Sequence, residues 1–240
     1  MISTLTILRY PKRFIPFALL AMVLFRIPLS FNKKISFWKL LGSGRNGTFD
    51  KNPDWQQWGI LIVTNQENSS CITGVPEFNR KIYGRFISWW IRVFCMETWT
   101  ILLEPIEGHG LWDGKKVFGD LPARSGYEGP IAILTRATIR LSRLRAFWGQ
   151  VNEVAGQMAG AKGFVGSLGI GEIPFIKQAT FSVWESKEDM KTFAYQMKAH
   201  TDVIQRTRVE KWYSEDMFIR FKIVGSCGTI KGINPLEGKS

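Results

Sequence analysis

An internal repeat constrains the fold of this chain more than any other feature of its sequence. When the sequence is shifted by 127 residues, Thr4–Arg9 falls on Ile131–Arg136, and both are strand-like runs that end in arginine. At the same shift, the segment 42–44, which reads GSG, falls on 169–171, which reads GIG. The two halves of the chain therefore begin with the same elements in the same order.

Two further matches extend the repeat toward the end of the chain. At a shift of 121 residues the strand-like run 57–63 falls on 178–184. At a shift of 118 residues the segment 110–114 falls on 228–232, and both segments have glycine at each end. Because all the matches keep one order, they indicate two copies of a single structural unit.

Apolar residues between the first strand and the glycine segment recur at the spacing of a helix with one buried stripe. They are Phe14, Phe17, Leu20 and Leu24 in the first half and Leu141, Leu144, Phe147 and Val151 in the second. Each half therefore predicts the β-α-β-β-α-β order of a ferredoxin-like module. Such a module covers only one face of its sheet with helices, so two modules can press their open faces together. The sequence predicts an α+β fold in which two tandem ferredoxin-like modules form an α/β barrel of the dimeric-barrel type within one chain.

The repeat also gives the expected domain boundaries. The first module is predicted at residues 1–113 and the second at 130–232, followed by a tail at 233–240. Residues 114–129 are rich in glycine, proline and charge, which is typical of a linker.

The first glycine segment also matches a dinucleotide-binding fingerprint, since residues 42–47 read GSGRNG. That fingerprint requires a helix that begins at its third glycine, where backbone amides hold the phosphates. Here Asn52 and Pro53 follow instead, and this pair favours a turn. We predict no nucleotide site and expect the recurrent glycines to permit a bulge or sharp turn at a sheet edge.

Composition and charge exclude several classes of function. The net charge of +12 is compatible with nucleic acid, an anionic membrane surface or an anionic ligand. No zinc-finger, basic-zipper or RNP pattern accompanies it, so we predict no nucleic-acid partner and a solvated basic surface. The ten tryptophans and seventeen phenylalanines indicate a thick aromatic core or a pocket for a flat or elongated apolar ligand.

Cysteine and histidine usage narrows the chemistry further. Cys71, Cys95 and Cys227 lie far apart, which argues against a disulfide framework and is typical of a reducing cytoplasm. Two histidines are too few for a multi-histidine metal centre. The sequence also lacks the G-x-S-x-G, Walker and H-E-x-x-H motifs.

One segment, Phe14–Phe31, is strongly apolar. Its uninterrupted apolar run, Pro16–Phe25, has ten residues, whereas a membrane-spanning helix needs about twenty. Arg26 and Pro28 then interrupt it. We predict a core-facing helix and a cytoplasmic protein, and peripheral contact with the inner face of the membrane remains open.

His200 is the stronger of the two histidine candidates. It lies three residues after Met197 and four before Ile204, on the apolar face of a predicted helix, and therefore points inward. Two interpretations remain open, an axial haem ligand and a core histidine bonded to a carbonyl. Arg9 and Arg136 end the first strand of each half, where a guanidinium can hold an anion such as a haem propionate or form a surface ion pair.

Three other residues are weaker candidates. Glu172 can act as a proton donor or anchor its own loop, and Gln178 lies on a strand and can face the barrel interior. His109 lies between two glycines and is expected in a turn.

Several stretches of the sequence resemble one known family. The segments FWKLLGSG, LTRATI, GIGEIPFIKQATFSVW, MKTFA and the closing RVEKWYSEDMFIRFKIVGSCGTIKGINP resemble the spheroidene monooxygenase family of carotenoid biosynthesis. The likeness covers nearly the whole chain and is densest from Ile131 onward. It implies a haem-containing oxygenase that introduces oxygen at the end region of a linear carotenoid. His200 lies twelve residues before Trp212, where the family pattern has a histidine, so the resemblance implies that it is the axial ligand.

The resemblance also implies partners. Dioxygen would be activated at haem iron with electrons from a separate donor such as a ferredoxin, because the chain has no flavin or nicotinamide motif. The first helix is more apolar than the family pattern. This difference could change either the pocket or a membrane-facing surface, so the resemblance does not determine which carotenoid-like substrate is bound. Two alternatives remain, a cofactor-independent barrel monooxygenase and a non-catalytic apolar-ligand-binding protein.

Overall fold

Eight strands, all paired antiparallel, form one closed barrel. The structure is a computed structural model that describes residues 1–45, 52–64, 75–196, 206–207 and 209–237, with the backbone alone at 151–157 and 195–196. The strands are β1 Ser3–Arg9, β2 Ile35–Gly44, β3 Pro53–Thr64, β4 Glu97–Gly110, β5 Ile131–Ile139, β6 Phe164–Ile173, β7 Lys177–Trp184 and β8 Tyr213–Gly228. Around the barrel they follow the order β1-β3-β2-β6-β7-β5-β8-β4, and β4 closes on β1.

The strand order confirms the two ferredoxin-like modules. The first half contributes β4-β1-β3-β2 and the second half contributes β8-β5-β7-β6, which is the same order in both. The strands of both halves fall inside the ranges predicted for the two modules. Most residues of β1 are buried on both faces, because one face lines the barrel and the other lies under helices.

The two halves join at two seams, where β2 pairs with β6 and β4 pairs with β8. Gly42 pairs with Gly171 at the first seam, and Glu104 pairs with Lys222 at the second. The β-bulge after Gly42 recurs after Gly171, 129 residues later, and both glycine segments therefore carry the expected bulge. The expectation of a sheet edge is wrong, because the two segments pair with each other and leave no edge.

The helices lie outside the barrel. They are α1 Ile15–Leu24, α2 Arg26–Phe31, α3 Val75–Ile82 and α4 Gly84–Phe94 in the first half, and α5 Leu144–Ala159 and α6 Lys187–Gln196 in the second. A short 3-10 turn precedes α1 at Lys12–Phe14 and α5 at Leu141–Arg143.

The barrel interior is filled by apolar side chains from all eight strands. Segments outside the modules also pack into it, since Val117 and Phe118 from the predicted linker and Leu236 from the predicted tail are buried in this cluster. Trp112 and Ile230 are buried in it as well, each from a turn just beyond the end of a seam strand. These residues therefore add to the apolar filling of the barrel interior from beyond the ends of its strands.

The true register of the repeat differs from the one read from the sequence. When the strand pairings and bulges of the two halves are superimposed, the first two strands of each half correspond at a shift of 129 residues. The third strands correspond at a shift of 120 residues. The predicted shift of 118 in the fourth strand is confirmed, because Asp113 and Lys231 share a positive φ, as do Gly110 and Gly228. The predicted shifts of 127 and 121 are therefore wrong by two residues and by one.

The predicted buried stripe of the first helix is also wrong in part. Leu20 is exposed, and the helical segment buries Ala18, Ala21, Phe25 and Leu29 instead. An almost uniformly apolar helix has no strong periodicity, so its buried face could not be read from spacing alone.

Candidate functional site

The outer faces of the two half-sheets differ sharply at corresponding positions. In the first half Leu8, Ile60, Ile62 and Leu102 pack under the helices. Under the register given above, the corresponding residues of the second half are Ala137, Thr180, Ser182 and Arg220. At these four positions, large apolar side chains of the first half are replaced by small or polar ones in the second half.

We call the outward residues Thr135, Ala137, Thr180 and Ser182 the small-residue face. Thr135 and Thr180 are paired across β5 and β7, and Ala137 lies two residues farther along β5. Thr135 is exposed although it lies in the middle of a strand, whereas the corresponding Thr6 is buried. The hydroxyl of Thr6 contacts Thr100 and accepts a hydrogen bond of 2.6 Å from Tyr83.

Two separate aromatic clusters border the small-residue face. The first contains Ile131, Ile133, Met158, Trp184, Met190 and Phe193. The second contains Ile139, Phe147, Trp148 and Trp212. The described helices of the first half instead pack into one continuous cluster over their sheet. Among the described residues, the second half therefore presents a sheet face of small side chains between two apolar walls.

Gln178 lies on this outer face and not in the barrel interior. Its neighbour Ala179 belongs to the interior cluster, and side chains alternate along the strand, so Gln178 points outward beside Ala137. Its Nε2 donates a hydrogen bond of 3.0 Å to the carbonyl of Ile173, which holds the amide against the turn before β7. Alternation along the strand could not decide from the sequence which face Gln178 occupies, and the structure places it on the outer face and not in the interior.

His109 lies within β4 and not in a turn, so that expectation is wrong. His109 pairs with Phe218 of β8, and Phe218 pairs with Thr135 of β5. His109 is therefore two strands away from the small-residue face, at the same level along the sheet. Its ring stacks on Phe218 with centroids 6.1 Å apart. The side chain of His109 is exposed.

Arg136 and Glu172 meet at one end of the barrel, in a group of alternating charges. We call Lys39, Asp113, Arg136, Glu172, Lys177 and Glu215 the barrel-end cluster. The buried guanidinium of Arg136 bonds Glu215 and lies 3.4 Å from Asp113 and 3.5 Å from Glu172. The cluster contains three cations and three carboxylates, so its formal charges balance.

Hydrogen bonds lower the pKa of two carboxylates of the barrel-end cluster, Asp113 and Glu215. Burial by itself raises the pKa of Asp113, but hydrogen bonds from Lys177 and Lys39 outweigh it and lower that pKa to about 2. Burial also raises the pKa of Glu215. Hydrogen bonds from the amides of Gly114 and Asp113 and from the Arg136 guanidinium outweigh this effect, so the pKa is lowered. The positive charge of Arg136 is thus balanced by carboxylates of the same chain. Its role in binding a haem propionate stays a prediction.

Glu172 serves as a structural anchor in this geometry. Its carboxylate accepts a hydrogen bond of 2.8 Å from the indole of Trp112 and forms an ion pair with Lys39. These contacts match the anchoring role considered for it, and a proton-donor role stays a prediction. Glu172 and Arg136 are near each other, whereas Gln178 lies on the opposite face of the sheet.

His200 lies outside the described residues, so its role as axial ligand also stays a prediction. Within the described part of the chain, no group of three or more His, Cys, Asp or Glu side chains is placed to hold a metal ion. The small-residue face was missed by sequence reasoning, although the repeat carried its signal. With the correct register, Leu8, Ile60 and Ile62 of the first half align with Ala137, Thr180 and Ser182.

Comparisons with known proteins show one consistent set of relatives. The chain is 31% identical over 229 residues to a spheroidene monooxygenase of Rhodobacter capsulatus, covering 94% of this chain and 90% of that protein. It is 34% identical over 197 residues to the enzyme of the same name from Rubrivivax gelatinosus, covering 82% of this chain and 72% of that one. A third, from Cereibacter sphaeroides, is 34% identical over 212 residues, covering 88% of this chain and 63% of that longer protein.

Solved structures support the fold alone. An aldoxime dehydratase aligns with a TM-score of 0.56 at 11% identity, covering 92% of this chain and 80% of its own. A second aldoxime dehydratase, in complex with butyraldoxime, aligns with a TM-score of 0.53 at 11% identity, covering 92% and 79%. No family model matches the chain.

Proposed function

The chain belongs to the spheroidene monooxygenase family, and from that membership we propose that it oxygenates an acyclic carotenoid or a similar long apolar substrate. The proposed reaction takes place at a haem iron and uses O2 and electrons from a separate protein such as a ferredoxin. The small-residue face is the observation that supports this proposal, because three of its four side chains are smaller than those at the corresponding positions of the first half.

The residues present at this face fit a flat, largely apolar group. Thr135, Ala137 and Thr180 would form its floor, and none of them is larger than threonine. Trp184 and Phe193 would form one wall, while Phe147 and Trp148 would form the other. Aromatic side chains bury large apolar surfaces at little entropic cost, which suits both a macrocycle and a polyene.

Haem would supply the oxidant that no side chain can provide for an unactivated C–H bond. Family resemblance assigns its axial ligand to His200. The chain's own contribution is to bind the polyene by apolar burial and to exclude water from the site. The amide of Gln178, fixed on the Ile173 carbonyl, would orient a polar group at the edge of the face.

The chain has two histidines, which makes the cofactor assignment directly testable. The full-length protein is expressed with haem supplied, and the Soret band is recorded for wild type, His200→Ala and His109→Ala. We expect the band in wild type and in His109→Ala, and its loss or shift in His200→Ala. The proposal fails if no variant takes up haem, or if only His109→Ala loses the band.

The activity itself is tested in a carotenoid-producing host that lacks this oxygenation step. Pigment analysis of cells that express wild type is expected to show hydroxylated or keto carotenoids, and cells that express His200→Ala are expected to lack them. Turnover that persists in the variant without haem would favour the cofactor-independent monooxygenase. Pigment binding without any product would favour the non-catalytic binding protein.

A further inference from the structure

The helices of the first half expose an unusual amount of apolar surface to solvent. The segment Lys12–Phe31 is long and apolar enough to cross a membrane by length and composition, yet only 22% of the residues in its apolar 18-residue window are buried. Exposed large apolar side chains on or beside α1, α2 and α4 are Leu19, Leu20, Val23, Ile27, Phe31, Phe86, Trp89, Val93 and Met96. Contiguous apolar surface of this kind marks an interaction site. We call these nine residues the apolar helix face.

The apolar helix face is continuous because its helices pack side by side. Phe17 of α1 stacks on Phe94 of α4 with ring centroids 4.4 Å apart. Phe25, at the junction of α1 and α2, contacts Trp90 and Phe86 of α4 at 5.9 and 6.2 Å. These ring contacts hold the helices together, so that the nine residues of the apolar helix face lie side by side.

Basic residues surround this face, and acidic residues are absent from its segments. Residues 12–34 and 84–96 contain no aspartate or glutamate, and they contain seven cations, Lys12, Arg13, Arg26, Lys33, Lys34, Arg85 and Arg92. Arg85 and Arg92 line an open groove together with Phe86, Ser88 and Trp89. Cations beside exposed aromatic and aliphatic side chains are typical of a helix that lies in a membrane interface.

We propose that the apolar helix face docks the protein on an anionic lipid bilayer, with α1, α2 and α4 lying along its surface. Charge decides between a bilayer and a second copy of this chain. In a two-fold dimer the same face meets itself, so the seven cations would oppose one another. An anionic surface instead attracts each of them. This inference does not depend on the proposed oxygenase activity.

Packing decides between lying on the bilayer and crossing it. A spanning orientation would remove Ala18, Ala21, Phe25 and Leu29 from the cluster that they form with β1 and β3. The first half of the barrel therefore keeps its cover only if these helices remain against the sheet.

Vesicle flotation of the full chain tests the proposal. Vesicles of phosphatidylcholine alone are compared with vesicles that also contain phosphatidylglycerol, at low and high salt. We expect binding to the anionic vesicles, weakened by salt, and little binding to the neutral ones. Equal binding to both kinds of vesicle, or to neither, would overturn the proposal.

Two pairs of variants locate the surface. Ile27→Glu places a charge on the apolar helix face, and Ile233→Glu is its matched control, since these side chains are 60% and 65% exposed. We expect the first to abolish flotation and the second to leave it unchanged. Arg85→Gln and Arg92→Gln are each expected to lower the partition coefficient roughly fivefold.

Two further measurements exclude the other occupants of this face. Light scattering in the absence of lipid is expected to give the same oligomeric state for wild type and Ile27→Glu. A dimer that dissociates in Ile27→Glu, with no vesicle binding by wild type, would assign the face to a second copy of the chain. Resistance of bound protein to alkaline extraction would indicate a spanning helix and would also overturn surface docking.

Discussion

Gly42 pairs with Gly171 across the seam between the two halves, and each occupies the same position in its own half. The pair therefore lies on the approximate two-fold axis that relates the halves. A Cβ atom at Gly171 would lie 2.8 Å from the carbonyl oxygen of Lys177, whereas one at Gly42 would approach nothing closer than 3.8 Å. The two glycines are equivalent by symmetry but not in the space around them.

Gly171→Ala is therefore expected to destabilise the barrel, and Gly42→Ala is its matched control. The Lys177 carbonyl belongs to the backbone and cannot move away easily, so we expect a loss of about 1–3 kcal/mol in the free energy of unfolding. The control is expected to change it by less than about 1 kcal/mol. Urea unfolding monitored by tryptophan fluorescence measures both. Equal effects would show that the close approach at Gly171 is not a constraint.

The second seam contains a buried ion cluster whose loss should be costly. The carboxylate of Glu107 is 1% exposed, bonds Arg220, lies 2.9 Å from Lys187 and accepts the amide of Ser125 at 2.6 Å. Glu107→Gln leaves these cations without their counter-charge, and we expect a loss of about 3–5 kcal/mol.

The control for this change is on the same strand. Glu104 lies 4.0 Å from Lys222, with both side chains 47% exposed. Because exposed pairs contribute little, Glu104→Gln is expected to cost less than about 1 kcal/mol. The same denaturation series compares the two variants. A small loss in Glu107→Gln would mean that the seam does not depend on this cluster.

The barrel-end cluster predicts loss of stability in acid. The pKa of Asp113 is lowered from 3.8 to about 2 in the folded state, so its contribution is present above the unfolded value and disappears as pH falls through the folded one. We expect the melting temperature to fall between about pH 4 and pH 2, and Asp113→Asn to reduce that fall. Thermal melts at successive pH values test this, with the exposed Asp216→Asn as control. An unchanged pH profile in Asp113→Asn would contradict the assignment.

The architecture could be predicted from the sequence because the order of the repeated elements is correct even when their alignment is wrong by one or two residues. A shift wrong by two residues keeps each residue on the correct face of its strand, since side chains alternate with a period of two. The match of Thr4–Arg9 to the second half was wrong by two and still identified β1 and β5 correctly. The match of Gln57 to Gln178 was wrong by one, so it equated an inward side chain of the first half with an outward side chain of the second.

The candidate site was harder to predict for a related reason. Ala137 and Thr180 carry no motif, and their meaning comes only from comparison with Leu8 and Ile60 in the other half. The partners of Arg136 were also beyond sequence reasoning. Asp113 follows β4 and Glu215 lies on β8, and only the pairing of β8 with both β5 and β4 brings them to Arg136.

Filling the small-residue face with the residues of the first half tests the site directly. Ala137→Leu combined with Thr180→Ile restores the side chains of Leu8 and Ile60 at the corresponding positions. If the face holds haem or a polyene, we expect haem uptake in a titration of the Soret band to fall at least tenfold. Ala137 is 4% exposed, so the added atoms crowd their surroundings, and we expect a loss of about 1–3 kcal/mol in the free energy of unfolding. The control pair Ala137→Ser and Thr180→Val keeps the volumes nearly unchanged and should retain uptake. Wild-type haem binding by the filled variant, with the barrel intact by circular dichroism, would move the site away from this face.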